Sequence, residues 1–494
     1  MQLEHQKDFD VVVLGGGING ACLFDALACC GYRVLLLDRG DFACGTSQAS
    51  GMLIWGGLLY LRNLDLRSVS VLSRARDRMV RQMPEWVTPQ FLRYVRAQRG
   101  RPMWTVLGGL WLYWLMGLGC RRAPRSGKSF PELALIKPQA VENSFLYEEA
   151  ILSQSDSRFV LRWITAHLAP QHIAANYCRA RGQYNRVDRC WHLDVEDQLT
   201  GRNYPIRATC IANCAGVWTD QVNQEFGIAT DCRHAFSKGV YLGFRRPEEL
   251  TSHLIFDMGE HDDVITCVPW GQVCLWGPTE TAVDDIAEGY RITGQDVAWL
   301  LEQYNHRFRQ TRGIDEIVSL RCGIRPLVVD RDFRSDCYPL DLSRRQKIVR
   351  DVDRPWISCY GGKITDCEHM AARAVAMIRK MSPAPDGAVP KPALTEPVQW
   401  EQFPGVPDPV HSLAWCMRHE SCCTLEDYLR RRTNISQWVC REGLGKHDEN
   451  EAHLGRLAQQ LAGGDAAGGQ KLLAQYRAKV QERFDQALTS AGGR

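Results

Sequence analysis

Residues Asp10 to Ser47 read DVVVLGGGINGACLFDALACCGYRVLLLDRGDFACGTS. Asp10 to Leu14 is a short β-branched apolar strand, and Gly15, Gly17 and Gly20 follow it as G-x-G-x-x-G. In that pattern the first glycine permits a tight turn and the second lets the backbone approach a pyrophosphate. The third lets the next helix pack closely, with its first N–H groups, around Ile18 and Asn19, aimed at phosphates. The pattern predicts a helix to about Cys30, ended by Gly31, and then a buried strand from Arg33 to Leu37. Asp38 ends that strand, about 20 residues after the glycines, where a carboxylate accepts ribose hydroxyls. Strand, turn, helix, strand and acid thus fall in the order of a dinucleotide-binding unit. NAD and FAD both suit such a unit. The small hydroxyl-bearing stretch GDFACGTSQAS after Asp38 leans to FAD, because it can line a buried phosphate and ribitol.

The 494 residues suffice for two or three domains with a substantial core. A composition of 45% hydrophobic and 24% charged residues is that of an ordinary globular protein, and a net charge of +3 gives no reason to expect nucleic acid as a partner. The cluster Arg430, Arg431, Arg432 reads as a solvated helix face. Twenty cysteines are many, but the first residues, MQLEHQKDF, carry no apolar signal segment, and the adjacent pairs Cys29–Cys30 and Cys422–Cys423 suit no disulfide framework. The cysteines are therefore expected to be reduced and to act as small apolar residues in a cytoplasmic protein. No His/Cys spacing predicts a metal site.

The stretch Trp104 to Cys120, WTVLGGLWLYWLMGLGC, is uncharged and flanked by arginines. It is short for a membrane span. Its tryptophans and arginine flanks suit a segment lying at a membrane interface, peripheral on the inner face; a buried helix is the alternative.

Further along, Leu66 to Met83 is predicted helical, Asp156 to Arg158 opens another helix, and Ile173 to Glu196 has the pattern of a hairpin. Ala208 to Asp220, ATCIANCAGVWTD, is an apolar strand ending at Asn213, followed by Gly216 and Trp218. Gly239 to Pro278 alternates apolar and polar residues, as antiparallel strands over a cofactor would. Gly361–Gly362 precedes a predicted helix from Thr365 to Lys380, whose N-terminus supplies positive potential. A proline-rich linker spans 382–397, and helical patterns follow, at Leu425 to Val439 and at Leu454 to Leu488 with a break at AGGDAAGG.

In this order VLGGGINGA (Val13 to Ala21), GDFACGTS (Gly40 to Ser47), LIWGGLLYL (Leu53 to Leu61), NCAGVW (Asn213 to Trp218), GIRPL (Gly323 to Leu327), YGGKIT (Tyr360 to Thr365) and LEDYLRRRT (Leu425 to Thr433) resemble the FAD-dependent glycerol-3-phosphate dehydrogenase family, within the D-amino-acid-oxidase-like flavoproteins. The resemblance implies an α/β fold with three parts. These are a Rossmann-like FAD-binding domain (8–95, 150–235 and 318–381), an antiparallel substrate domain (96–149 and 236–317) and a C-terminal helical domain (398–494). It implies FAD held by Gly15, Gly17, Ile18, Asn19, Gly20, Asp38, Arg39, Thr46, Ser47, Ser50, Gly56, Gly57, Gly216, Trp218, Arg325, Gly362, Lys363, Ile364 and Thr365. It also implies hydride transfer from a small anionic substrate to the flavin, with quinone or oxygen as the electron acceptor.

Arg325 and Lys363 match the family's substrate-facing cations, and Tyr60 its tyrosine. The family's K-L-I-H-G-G-x-R-Y, however, reads Met52, Leu53, Ile54, Trp55, Gly56, Gly57, Leu58, Leu59, Tyr60, and its K-G-S-H reads Lys238, Gly239, Val240, Tyr241. A lysine, an arginine and two histidines have become uncharged. Losing an arginine from a desolvated phosphate site costs several kcal/mol, and losing a base costs about 10²–10⁴-fold in rate. Arg321 or Arg62 could compensate. The expectation is a FAD-dependent oxidoreductase acting on a C–OH or C–N centre. Arg325 and Lys363 would hold one anionic group, Trp55, Leu59 and Val240 would enclose a less polar body, and Tyr60 or Tyr241 would orient the reacting group. The alternatives are a functional glycerol-3-phosphate dehydrogenase or oxidase and a non-catalytic flavin-binding scaffold.

Overall fold

Residues Asp8–Leu14 form strand β1, with Val11, Val12 and Val13 fully buried, in a computed structural model that describes residues 2–97, 101–118, 120–127, 130–258, 264–333, 346–384 and 396–492. The side chains of residues 59, 62 and 63 lie outside the description, and with them the roles expected of Leu59 and Arg62; most of the proline-rich linker, 385–395, lies outside it too. Gly15 turns the chain at φ +104°, and helix α1, Ile18–Cys29, follows. Its first N–H groups lack a cap from their own N-terminus. Instead Ile18 N–H donates to Ser47 Oγ at 3.0 Å, which ties the GDFACGTS segment to the start of the helix. Gly31, at φ +83°, ends the helix before β2, Val34–Leu37.

β2 pairs parallel with β1, and β3, Asn203–Asn213, pairs parallel on the other side, Val13 opposite Ala212. The sheet continues through Trp356–Tyr360 beyond β3 and His172–Ala175 beyond β2. The hairpin expected from Ile173 begins later, as Cys178–Asn185 and Cys190–Asp197. Ile173 itself pairs parallel with Leu35, because the apolar HIAA run extends the buried sheet before the chain turns at Tyr177, φ +55°.

A second sheet is built on two long antiparallel strands, β4, Cys232–Arg245, and β5, Ile317–Asp330, with Ser237 opposite Arg325 and Tyr241 opposite Arg321. Strands Val273–Gly277, Val264–Trp270, His253–Asp257, Val87–Arg96 and Asn143–Leu152 extend it. Val87–Arg96 and β5, which the sequence places with the nucleotide domain, thus hydrogen-bond within this second sheet. Helix α2, Leu66–Gln82, is capped by Asp65, which accepts from Ser68 N–H at 3.1 Å.

Helix α3, Met103–Met116, buries only Leu110 and Tyr113. Trp104 is 75% exposed and Leu118, just beyond the helix, 77%. The buried-helix alternative for this segment is therefore wrong, since the helix is apolar all round but has a single inner face to cover. Among the described residues no helix is long and apolar enough to cross a membrane.

Helix α4, Asp156–Thr165, capped by Ser155, packs on α1 beside Cys367–Arg379. The C-terminal region is helical, with Glu451–Leu461 and Ala466–Val480 on either side of the glycine-rich break. Arg430, Arg431 and Arg432 are not a solvated face. All three are buried: Arg431 Nε donates to Asp41 Oδ2 at 2.5 Å, and Arg432 donates to both Asp41 oxygens at 2.7 and 2.8 Å. The pairing acid lies in the GDFACGTS segment, so the cluster clamps the C-terminal region onto the nucleotide unit.

Candidate active site

The C-terminal ends of β1, β2 and β3 open into a cavity of about 1020 Å³ that continues under the second sheet. That is the upper end of ordinary small-molecule sites, which run from ~300 to 1,000 Å³. It lies where ligands bind in open α/β sheets, outside the carboxyl ends of the strands.

At its nucleotide end the lining is rich in glycine. A Cβ on Gly15 would lie 2.5 Å from the Cys214 carbonyl, and one on Gly20 would lie 1.8 Å from the Gly15 carbonyl. Only glycine fits either position. Asp38 holds the turn in shape: Oδ2 accepts from Gly16 N–H at 2.7 Å and Oδ1 from Gly40 N–H at 2.8 Å. Burial pushes its carboxyl up to about 6, against the pull of those two N–H groups. Each oxygen keeps a lone pair for a ribose hydroxyl. Trp218 stacks on Tyr290 with ring centroids 5.9 Å apart, and the Arg39 guanidinium lies 4.7 Å from the Trp218 ring.

Asn19 joins the first turn to the second. Its Nδ2 donates to the Gly361 carbonyl at 2.9 Å, while its Oδ1 is buried without a protein partner. A Cβ on Gly362, at φ +117°, would strike the Asn19 amide at 2.7 Å. From the other side Gly361 N–H donates to His234 Nε2 at 3.0 Å, and burial drives that imidazole down to about 4, leaving it a neutral acceptor. A glycine cradle, an orphaned buried acceptor at its centre and a cavity of dinucleotide size fit FAD.

The substrate end is built from side chains. Arg325 on β5 lies flat across β4 at Gly239, where a Cβ would stand 2.6 Å from its Nη2. Its Nη1 donates to Glu280 Oε2 at 2.7 Å, and Ser237 Oγ donates to the other oxygen of the same carboxylate. Lys363 Nζ sits 4.2 Å from the centre of the Tyr60 ring. The buried Tyr241 presents its hydroxyl to the cavity beside Gly51, where a Cβ would lie 2.7 Å away, and burial raises its pKa, so the phenol keeps its proton at neutral pH.

Of the residues expected at the site, Gly20 and Gly56 are absent from the cavity wall. Gly20 supports the turn from beneath. Gly56 faces Tyr113, whose hydroxyl a Cβ would meet at 1.9 Å, and its N–H donates to Glu149. The other residues expected to hold FAD line the cavity, as do Tyr60 and Tyr241. Trp55 lines it too, but Met52 and Val240 are buried in the core behind it, so Val240 does not enclose a substrate. Arg321 does not replace a lost cation: it is buried against Asp156 and donates to the Ser50 carbonyl at 3.0 Å. His234 does not replace the lost base, being committed to Gly361 outside the wall. Glu280 is the residue that sequence reasoning passed over. Its signal was a carboxylate placed directly after the apolar strand of WGPTE, where a charge at the end of a buried strand needs a partner.

The model of the FAD dependent oxidoreductase family, DAO, matches residues 10–345. Over 388 residues the chain is 27% identical to an aerobic glycerol-3-phosphate dehydrogenase of Escherichia coli K12, covering 77% of this chain and 75% of that protein. It is 28% identical over 390 residues to a D-erythritol 1-phosphate dehydrogenase of Brucella abortus, covering 76% and 75%. The glycerol-3-phosphate dehydrogenase of Bacillus halodurans complexed with FAD superposes with a TM-score of 0.71 at 19% identity, over 98% of this chain and 96% of that one.

Proposed function

The chain belongs to the FAD dependent oxidoreductase family, and from that premise we propose that it oxidises a C–N or C–OH centre in a small substrate carrying one negative charge. FAD is the cofactor, and when bound it supplies the hydride acceptor. The observation that carries the reading is the Arg325–Glu280 pair. Arg325 and Lys363 bring two positive charges to the substrate end, and Glu280, 2.7 Å from the guanidinium, cancels one. Among the described residues the guanidinium is thus partly neutralised, a setting that matches a carboxylate better than a phosphate dianion, which calls for two or more cations. Tyr241 and Tyr60 offer hydroxyls that orient the reacting group, and neither is a strong base. An amine bound unprotonated needs none.

A second reading is supported by the names of the relatives: with Arg325 and Lys363 in place, the substrate is a polyol phosphate such as glycerol 3-phosphate. Anaerobic mixing of the holoprotein with amino acids, 2-hydroxy acids and polyol phosphates, following bleaching of the flavin absorbance, separates the two. Bleaching by a monoanionic amino or hydroxy acid is the expected result. Bleaching by glycerol 3-phosphate alone would overturn the first reading in favour of the second, and a flavin that none of them reduces would point to a binding scaffold.

The exposure of α3 supports quinone as the electron acceptor. Trp104 and Leu115 on α3, Leu118 just beyond it and Leu64 are exposed apolar residues, and Arg122 and Arg125, which follow the helix in sequence, are exposed too. On its inner side Tyr113 packs on Gly56, next to Gly57 and Tyr60 of the cavity wall. This face would rest on an anionic lipid surface at the cytoplasmic side of a membrane, with quinone reaching the cavity from there. Co-sedimentation with phosphatidylglycerol vesicles should be lost in Trp104→Glu/Leu115→Glu. Unchanged binding would remove α3 from the membrane face, and faster turnover with dioxygen than with quinone would make the protein an oxidase.

A further inference from the structure

At the opposite end of α1 from the cavity, the last turn of the helix meets the segment that follows α4. Cys29 closes α1, Asp25 lies one turn earlier on the same face, and His167 follows α4 by two residues. Cys29 Sγ lies 3.4 Å from His167 Nε2, and His167 Nδ1 lies 2.9 Å from Asp25 Oδ1. The ring therefore stands between sulfur and carboxylate and presents a different nitrogen to each. His167 is fully buried and Asp25 nearly so, while Cys29 is exposed. Cys29 is thus the one residue of the Cys–His–Asp trio that is exposed.

We propose that Cys29 is a base-assisted reactive thiol, held ready by His167 and oriented by Asp25, and that it is this protein's preferred site of oxidation by hydroperoxides. As the thiol reacts, His167 Nε2 takes the sulfur's proton, and Asp25, on the opposite edge of the ring, fixes the tautomer and balances the imidazolium charge. The thiolate attacks one oxygen of the peroxide. The S–O bond forms as the O–O bond breaks, and two electrons pass from sulfur to the peroxide. The departing oxygen takes the proton from Nε2, so hydrogen peroxide yields cysteine sulfenic acid and water.

The surroundings agree. Burial works against a charged His167, but the hydrogen bonds to Asp25 and Cys29 outweigh it and raise the imidazole to about 9. The neighbouring His172 donates from Nδ1 to the His167 carbonyl at 3.2 Å, and burial lowers its pKa, so it adds no competing charge. Arg379, on the adjacent helix, points its Nη2 at Cys30 Sγ from 3.2 Å and adds positive potential beside the thiol. The other exposed cysteine among the described residues, Cys120, has no such partner within hydrogen-bond distance; its sulfur faces only the Leu118 carbonyl at 4.0 Å. It is an internal control. A metal would engage one ring nitrogen, whereas both are committed here to different partners.

The holoprotein treated with hydrogen peroxide in the presence of dimedone, digested and analysed by mass spectrometry, should carry the label at Cys29 about tenfold or more over Cys120, since assistance by a positioned base starts near ~10²-fold. His167→Gln should bring the ratio close to one, and Asp25→Asn should lower it less, with flavin content measured to confirm that each variant is folded. Equal labelling of Cys29 and Cys120 in the unaltered protein would overturn the proposal even if both variants failed to fold. So would a ratio unchanged in a folded His167→Gln protein, or protection of Cys29 from iodoacetamide by equimolar zinc, which would make the trio a metal site.

Discussion

The two ends of the cavity are made of different material. At the nucleotide end the shape is set by backbone: Gly15 and Gly362 sit at positive φ, Gly20 beneath the turn leaves no room for a side chain, and the Asp38 carboxylate braces the turn through two of its N–H groups. At the substrate end the wall is side chains borne on separate elements, Arg325 on β5, Tyr241 on β4, Glu280 after its strand and Lys363 after the glycine pair. A backbone cradle tolerates almost no substitution. A wall of side chains can be rewritten residue by residue without moving the sheet behind it. That asymmetry accounts for cofactor motifs that keep their glycines while Trp55 and Tyr241 stand where the resemblance implies charged and basic groups. The largest test strikes the first end. Gly20→Val places carbon within 1.8 Å of the Gly15 carbonyl, a backbone clash that no rotamer relieves and that exceeds the ~1–3 kcal/mol usual for overpacking. The variant should purify without flavin, measured by absorbance and by loss of thermal stability.

The nucleotide end is nonetheless braced by charge from behind. Asp41 accepts from Arg431, Arg432 and Asn176 in a site from which water is excluded. Burial pushes its carboxyl up, but Arg432 and Arg431 outweigh that and hold it down at about 2. Arg432→Met leaves a buried carboxylate short of its main partner and should cost about 3–5 kcal/mol. Calorimetry should show the loss. If it appears without a change in flavin affinity, the backbone cradle is self-sufficient; if flavin is lost as well, the clamp is part of the nucleotide end.

What the sequence discloses follows the same division. The β1–α1–β2 unit, the strand ending at Asn213 and the glycine pair before Lys363 are legible because backbone geometry restricts residue type locally, and a glycine at positive φ leaves a mark at its own position. The substrate end depends on pairings across the fold. Glu280 meets Arg325 from 45 positions away, and nothing in WGPTE discloses which strand it will face. The Arg430–Arg432 run shows the same failure at greater range, since its acid stands about 390 positions earlier. Three consecutive arginines have one pattern in sequence whether they face water or Asp41. Val240 fails for a different reason: next to a cavity residue in sequence, it points to the opposite side of its strand.

His234 lies between the two ends and couples them to pH. Its neutral Nε2 accepts from Gly361, and burial holds its pKa at about 4, against ~6.5 in an unfolded chain. A depressed histidine contributes stability that is fully present above pH ~6.5 and is lost as the pH falls toward 4, at most on the order of 3 kcal/mol. Flavin release should therefore rise as the pH drops through that window. His234→Gln offers an oxygen acceptor that does not titrate and should shift the release to lower pH. His253 and His411, also held at about 4 by burial, remain in the variant and keep part of the acid sensitivity of overall stability. Flavin release and unfolding should then separate. If they move together, the second glycine turn is no more independent than the core.

The finest test asks whether the substrate end distinguishes charge. Glu280→Gln keeps an oxygen for Arg325 and turns its amide N–H₂ toward Ser237 Oγ, which then accepts instead of donating, and it removes the negative charge beside the guanidinium. Shape and hydrogen bonding are nearly conserved. A shift in preference would therefore report electrostatics alone. The ratio of kcat/KM for a polyol phosphate to that for a monoanionic acid should rise about tenfold, equivalent to ~1.4 kcal/mol of added discrimination, while flavin content stays constant because Glu280 lies outside the backbone cradle. If the ratio does not change, Arg325 is held by Glu280 only as a strut. The anion would then be recognised by Lys363 and the residues around it, and the substrate end would owe its selectivity to shape, with Trp55 and Tyr241 as the residues to vary next.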